Sequence, residues 1–390
     1  MSKQVNQNAS SDGFDPLTGT LTRRGFVVGG SSIALSACSP QSDLIGVPVQ
    51  RELSDQEVSE RGHRVFIATL RRPSDAPGEF FSGKRAYKLS FAAVDVVIPP
   101  SHQTGKIERP RRLPPDPEKH FVITNPQVFN DEPDFRNTID ADILKLPRGQ
   151  RSALLWVHGY NTNLTSAVLR LAQFVEDTGY TGIPILYSWA SQARLGGYVY
   201  DINSALMARD NLEEVPRILQ ASPIETVDVV AHSMGNLVAM EAARGVANRG
   251  LFNASGKLRA IVLASPDIDI DLFIFQLSSI PPKQRQRFFV LTSADDQALS
   301  ASRTIARNPR VGQLSAEDLS KLGLNVVDLS QVSDLSSIHH SKFADAPDVV
   351  QLIGERILAG DASRSGSGTT EAIIVGAGGT ISAIDEAVGG

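Results

Sequence analysis

The sequence predicts an α/β fold with a mostly parallel central sheet and helices on both faces. From Ser152 to Ser330, a short continuous apolar run is repeatedly followed by a loop rich in Gly, Pro, Ser or Asp and then by a helix-length amphipathic stretch. Strands covered on both faces read as unbroken apolar runs, and the crossover from one parallel strand to the next needs such a helix. With 41% hydrophobic and 21% charged residues in 390, the chain can bury a large core.

Taken in chain order, the first informative stretch is LTRRGFVVGGSSIALSACSPQ, where Arg23 and Arg24 precede the uncharged segment Gly25 to Ala37. A bilayer-spanning helix takes about 20 apolar residues, so this segment is too short to be one, but it suits the core of a signal peptide. The paired arginines followed by Gly25 and Phe26 resemble the twin-arginine export signal. Leu35-Ser36-Ala37-Cys38 resembles the lipobox of bacterial lipoproteins. Together these resemblances imply that residues 1–37 are a removable signal peptide and that Cys38 carries lipid as the first mature residue. They imply export to the cell envelope, on the periplasmic side. Ser39 replaces the aspartate associated with inner-membrane retention, which points to the outer membrane. The alternative is a buried N-terminal helix with an incidental cysteine. Residues 38–60 are polar and acidic and read as a tether.

The folded domain is expected over residues 61–360. VFIATLR, YKLSFAAVDVVIPP and KHFVITN are extended segments that would form an antiparallel leading edge, and the Pro-rich span from Pro99 to Pro117 excludes helix between the last two. The main strands are SALLWVHG, IPILYSWA, TVDVVAHS, LRAIVLAS, RFFVLTSA and LNVVDLS. Helices are expected near Thr165 to Asp177, Tyr200 to Leu219, Asn236 to Arg249 and Asp271 to Leu277. Residues 361–390, rich in Gly, Ser, Ala and Thr, read as a flexible tail with one apolar patch from Ala372 to Val375.

A net charge of −5 without a long basic block argues against a nucleic-acid partner. Cys38 is the single cysteine, which excludes an intramolecular disulfide and a cysteine-based zinc site. The chemistry centres on VDVVAHSMGN. There Ser233 falls between a strand and the helix-forming GNLVAMEAARGVANRG, the context of a nucleophile elbow G-x-S-x-G, with Ala231 at the first glycine position. An ordinary strand-to-helix turn with a serine cap is the competing reading. A serine needs a histidine base, and in the α/β-hydrolase fold an acid and then the histidine follow on later strands. Of seven histidines only His339 and His340 lie downstream, and His340 is preferred. The acid is expected from the Asp295-Asp296 pair after RFFVLTSA. The cluster Asp267, Asp269 and Asp271 is the competing site, with Asp269 or Asp271 suited to cap a helix. No metal site is expected. The N–H groups of Met234 and of Tyr160, in LLWVHGYNTN, are positioned to form an oxyanion hole. His158 reads as a loop-orienting residue, as do Asn161 and Asn163, and Trp189 either lines the pocket or fills the core.

VDVVIPPSHQTGKIERP, LLWVHGYNTN, YSWAS, VDVVAHSMGN, LASPDID, TSADDQAL and HHSKF, in this order and spacing, resemble a bacterial family of α/β-hydrolases of unknown function, DUF900, described as esterase/lipase-like. The family writes its acid as Ser-x-x-Asp-x-Ala-Leu, which selects Asp296. It writes its base as Gly-His-Ser followed by an aromatic, which selects His340, although His339 and Lys342 stand where the glycine and aromatic belong. Alanine before the His-Ser pair is common in the family. The resemblance implies serine hydrolase chemistry on an ester or related acyl bond, with Ser233, Asp296 and His340 as the triad and no cofactor. The expected partners are a small-molecule or lipid ester and a membrane reached through Cys38. Amide, thioester or acyl-transfer chemistry with the same triad is the alternative, as is a catalytically silent envelope binding protein.

Overall fold

The antiparallel edge is laid down first. Helix α1 (Asp55–Arg61), opened by a reciprocal capping box between Ser54 and Glu57, leads into β1 (Gly62–Pro73), β2 (Phe81–Val97) and β3 (Val122–Phe129). β2 pairs antiparallel with both β1 and β3. Helix α2 (Glu132–Ile143) follows. The alternating part then runs β4 (Ser152–Val157), α3 (Leu164–Thr178), β5 (Ile183–Ser188), α4 (Tyr198–Leu212), α5 (Glu214–Gln220), β6 (Thr226–His232) and α6 (Gly235–Asn248). It continues with β7 (Leu258–Ala264), α7 (Ile270–Ser278), α8 (Pro282–Arg285), β8 (Phe288–Thr292), α9 (Gln297–Ala306), α10 (Ala316–Ser320), β9 (Asn325–Asp328), α11 (Lys342–Asp345) and α12 (Pro347–Leu352). Two further strands, β10 (Glu371–Val375) and β11 (Ile381–Asp385), close the order. These elements come from a computed structural model that describes residues 43–333, 338–358, 371–375 and 381–385.

The strands form one sheet in the order β11-β10-β9-β8-β7-β6-β4-β5-β1-β2-β3. Every pairing from β10 across to β1 is parallel, so the carboxyl ends of these strands share one edge. All residues of β4, β5 and β8 are buried, which is why they read as unbroken apolar runs. Successive side chains alternate between the faces. Leu155 and Val157 join a core with Phe273, Leu237 and Ile218 from α7, α6 and α5. Leu154 and Trp156 join a second core with Phe174, Phe343 and Val349 from α3, α11 and α12.

The strands and the four expected helices are found in the predicted order along the chain, with differences; α2 was not expected. The helix expected over Tyr200 to Leu219 is broken at Glu213 into α4 and α5. Pro216 accounts for the break, because its ring would clash with the Leu212 carbonyl in a continuous helix. Residues 43–60, expected within a tether, lie on the domain. Leu44 and Ile45 are buried, and the Leu44 N–H donates to Thr165 Oγ1 at 3.2 Å. The apolar patch in the expected tail becomes β10, paired in parallel with β9 and continued by antiparallel β11. A patch of this kind covers a sheet edge that would otherwise carry unpaired backbone groups. Cys38 and the signal segment lie outside the described residues. No helix among those residues is long and apolar enough to cross a membrane.

Phe135 fixes α2 to the antiparallel edge. It is fully buried, with ring centroids 4.7 Å from Phe91, 5.5 Å from Phe129 and 5.8 Å from Phe66. Replacing it with alanine should cost about 3–5 kcal/mol by urea denaturation; a loss below about 1 kcal/mol would show that this contact does not hold the edge.

Candidate active site

β6 ends at His232, α6 begins at Gly235, and Ser233 takes the turn between them with φ +53°. A non-glycine residue in the left-handed region is uncommon and is kept only where its surroundings fix it. Four hydrogen bonds fix Ser233. Its N–H donates to the Ala264 carbonyl at 3.0 Å, and its carbonyl accepts from the Asn236 N–H at 3.1 Å, Asn236 Nδ2 at 2.9 Å and the Asp267 N–H at 3.3 Å. Close approach makes the turn possible. A Cβ on Gly235 would lie 2.5 Å from the carbonyl oxygens of Val157 and His158. Ala231, at the position where the motif expects glycine, is fully buried and accommodated.

The loop after β4 lies directly against the serine, since a Cβ on Gly159 would stand 2.8 Å from Ser233 Cβ. Neither the Tyr160 nor the Met234 N–H donates to another group among the described residues. The Met234 N–H sits where α6 begins, at the positive end of the helix. The loop is secured from behind. Arg71, at the end of β1, is 1% exposed and donates through Nε to Ser188 Oγ (2.8 Å), through Nη1 to the Ser191 carbonyl (3.1 Å) and through Nη2 to the Thr162 carbonyl (2.6 Å). Burial pushes its guanidinium down to about 10, against the opposing pull of Asp201 and Asp43. Asp201, fully buried, accepts from Ser191 Oγ, the Gln192 N–H and the Asn161 N–H. Asn163 caps α3 by accepting from the Ser166 N–H at 2.8 Å.

His158 belongs to this support, as the sequence indicated. Its ring stacks on Trp189 with centroids 4.9 Å apart, and Nδ1 lies 2.9 Å from the Gly159 carbonyl. Burial, joined by the Arg71 guanidinium, pushes it down to about 3. Trp189 is fully buried and donates from Nε1 to the His158 carbonyl at 2.8 Å, so it fills the core and braces the loop.

The structure separates the two adjacent acids. Asp296, fully buried, caps α9 through Oδ1 (2.9 Å from the Leu299 N–H) and accepts through Oδ2 from His340 Nδ1 at 2.7 Å. Asp295 instead takes Lys342 Nζ at 2.8 Å on each oxygen. Burial works against its charge, but Lys342 and Ser293 prevail and hold the carboxyl below its usual range. His339 adopts φ +55°, a left-handed conformation that explains a glycine in the family pattern and that histidine tolerates better than most residues. The next residue after Lys342, Phe343, is buried.

Sequence reasoning passed over His232. Its Nε2 donates to the His340 carbonyl at 3.3 Å, and its ring lies between those of His340 (4.8 Å) and Phe343 (4.9 Å). Burial, with the neighbouring His340, holds it well below the ordinary histidine range. It therefore links the elbow to the histidine segment. Arg71 and Asp201 were also missed, because nothing local to VFIATLR or YVYDIN shows that these charges point inward. The competing acids are engaged elsewhere. Asp267 accepts from Tyr198 Oη (3.0 Å) and Ser302 Oγ (2.5 Å), and Asp269 caps α7. No group of His, Cys, Asp and Glu among the described residues is arranged to hold a metal. An apolar cleft of about 500 Å³ lies at the amino ends of β6 and β7, lined by Val227, Val246, Phe252 and Leu258, away from Ser233.

An elbow serine at the carboxyl edge of a mostly parallel sheet, with an acid and a histidine following later strands, is the layout of an α/β-hydrolase. The chain belongs to the family described as α/β-hydrolase of unknown function (DUF900), whose model matches residues 134–356. Among solved structures it is similar to an esterase from Pyrobaculum calidifontis, with 11% identity, 81% of this chain and 88% of that one covered, and a TM-score of 0.36. A second similar structure is one of two esterases from Rhizomucor miehei, with 11% identity, 77% and 83% covered, and a TM-score of 0.33. No curated protein matches the chain.

His158 generates a pH dependence of stability. A ring held neutral in the fold binds fewer protons than the unfolded chain once pH drops below about 6.5, so its contribution is present above that pH and lost as pH falls toward about 3. The urea midpoint should fall between pH 7 and pH 4, with a shallower slope in His158→Asn. Equal slopes for the two proteins would refute the assignment.

Proposed function

We propose that the protein is a serine hydrolase that cleaves carboxylic esters through an acyl-enzyme. Ser233 Oγ attacks the ester carbonyl carbon while His340 Nε2 takes its proton, and Asp296 holds the tautomer with Nδ1–H. The tetrahedral oxyanion is met by the N–H groups of Tyr160 and Met234. The intermediate collapses, the C–O bond to the alcohol breaks, and His340 returns the proton to the departing oxygen. Water, activated by His340, then attacks the acyl group, releasing the acid and regenerating Ser233. The single observation that best supports this reading is the left-handed backbone of Ser233, held against a loop whose Tyr160 N–H donates to no other group among the described residues. The 2.7 Å His340–Asp296 pair, tied to the elbow by His232, supports it further.

The same proposal includes a lipid anchor at Cys38 and a place in the cell envelope. Asp43, held at 3.0 Å by Asn163 Nδ2 beside the Tyr160 loop, follows Cys38 by five residues. A lipid on Cys38 would tether the domain to a membrane surface. Leu195 and Val199 are 68% and 69% exposed, and Ile338, just before the histidine pair, is 52% exposed. Tyr160 Oη donates to the Leu195 carbonyl, which places Leu195 beside the same loop. These apolar groups favour an ester with a lipid-like acyl or alcohol part.

Ser233→Ala should abolish both fluorophosphonate labelling and hydrolysis of short p-nitrophenyl esters; unchanged labelling would sink the nucleophile assignment. Asp296→Asn should leave the fold intact and lower kcat by about 10⁴, and a drop smaller than about tenfold would remove Asp296 from the triad. Cys38→Ser should release the protein from the membrane fraction, and retention there would disprove the anchor.

A further inference from the structure

The loop between β2 and β3 carries SHQTGKIERP, part of the family pattern, yet none of its residues has a part in the reaction proposed above. Its centre is His102. Nδ1 lies 2.8 Å from Glu108 Oε2 and Nε2 lies 2.8 Å from Asp177 Oδ1, in the last turn of α3. The ring edge meets Phe121 at 5.2 Å. Only an imidazolium can donate from both nitrogens at once, and a cation is favoured at the carboxyl end of a helix. Burial opposes the charge, but Asp177 and Glu108 prevail and push His102 up to about 9. The other charges at this end are Glu176 and its partner His63, 2.7 Å apart.

Asp177 passes the grip onward. Its Oδ2 accepts from the Gly105 N–H at 2.8 Å and from Gln173 Nε2 at 2.5 Å, and Gln173 Nε2 also donates to the Ala344 carbonyl at 2.9 Å. Gly105 has φ +83° and rests on the backbone of Asp345 so closely that a Cβ would collide with the Asp345 carbonyl oxygen. Arg170 pairs with Asp345 at 2.5 Å. Ala344 and Asp345 belong to α11, whose N-cap Ser341 follows His340 directly. The loop, α3 and α11 are thus joined by contacts that lead from His102 to the segment bearing His340.

We propose that His102 is a positioning residue for His340: clasped between Glu108 and Asp177, it seats the Gly105 turn and Gln173 on α11 and fixes the segment that carries the histidine. The inference rests on His340 acting as the base. Displacing a base by about 1 Å can cost up to about 100-fold, so His102→Gln should lower kcat by roughly 10- to 100-fold while KM stays within about twofold. A residue that merely stabilised the fold would lower the melting temperature and leave kcat unchanged below it.

The test is p-nitrophenyl butyrate hydrolysis by the full chain across pH 6 to 10.5, well below each melting temperature, with the Ser233→Ala rate subtracted. Wild-type kcat should fall above pH about 9 as His102 loses its proton, and this alkaline limb should vanish in His102→Gln. Glu108→Gln leaves one carboxylate on the ring, so the limb should move to lower pH; this variant decides the matter if His102→Gln does not fold. Ser233-dependent turnover with kcat and alkaline limb unchanged in the variants would overturn this inference alone. Turnover that survives Ser233→Ala would overturn the hydrolase reading, and this inference with it.

Discussion

The structure depends on one steric constraint, the close passage of the Ser233 turn beneath the loop after β4. Two glycines allow it. Gly235 lets α6 start against the Val157 and His158 carbonyls, and Gly159 lets the loop touch the serine side chain. Because the turn is left-handed at a residue other than glycine, its strain must be offset by bonds around it, and Asn236 supplies three of them, two to the Ser233 carbonyl and one to the Ala264 carbonyl. The parallel register of β4, β6 and β7 sets these groups at one height. A slip along any of these strands would take the loop, the serine and the segment after β7 out of contact together.

Environment, rather than residue type, sorts the histidines. His158 and His232 sit in apolar surroundings beside cationic or potentially cationic neighbours, and are driven toward the neutral form. The His102 side chain is 11% exposed, and two carboxylates favour its charged form. His340 has a single buried carboxylate on Nδ1 and 15% of its side chain exposed. The rings held neutral brace backbone, and the ring between two carboxylates clasps a loop.

Much of this was legible in the sequence. Fully buried strands announce themselves as unbroken apolar runs, so the order of β4 to β9 and their helices could be read directly, and with it the strand-to-helix turn at Ser233. That Asp296 and His340 meet could be anticipated because order along the chain restricts where such groups lie. What escaped is what long-range contact decides. The pattern VFIATLR does not say that Arg71 turns inward, and SHQTGKIERP does not say that its histidine meets a helix some seventy residues onward. The split of Asp295 from Asp296 depends on Lys342, across 47 residues of chain. Residues 43–60 misled because a polar composition conceals two buried side chains, Leu44 and Ile45, that tie the stretch to α3.

The proposed mechanism requires that Ser233 be acylated during turnover. Its most direct test is intact-protein and peptide mass spectrometry of the full chain, quenched in acid during hydrolysis of a p-nitrophenyl ester. An acyl-enzyme on Ser233 requires a mass increase of one acyl group, confined to the peptide containing Ser233 and absent from Ser233→Ala. Ester consumption with the acyl group on another residue, or with Ser233 never modified under conditions that trap an acyl-enzyme, would contradict it.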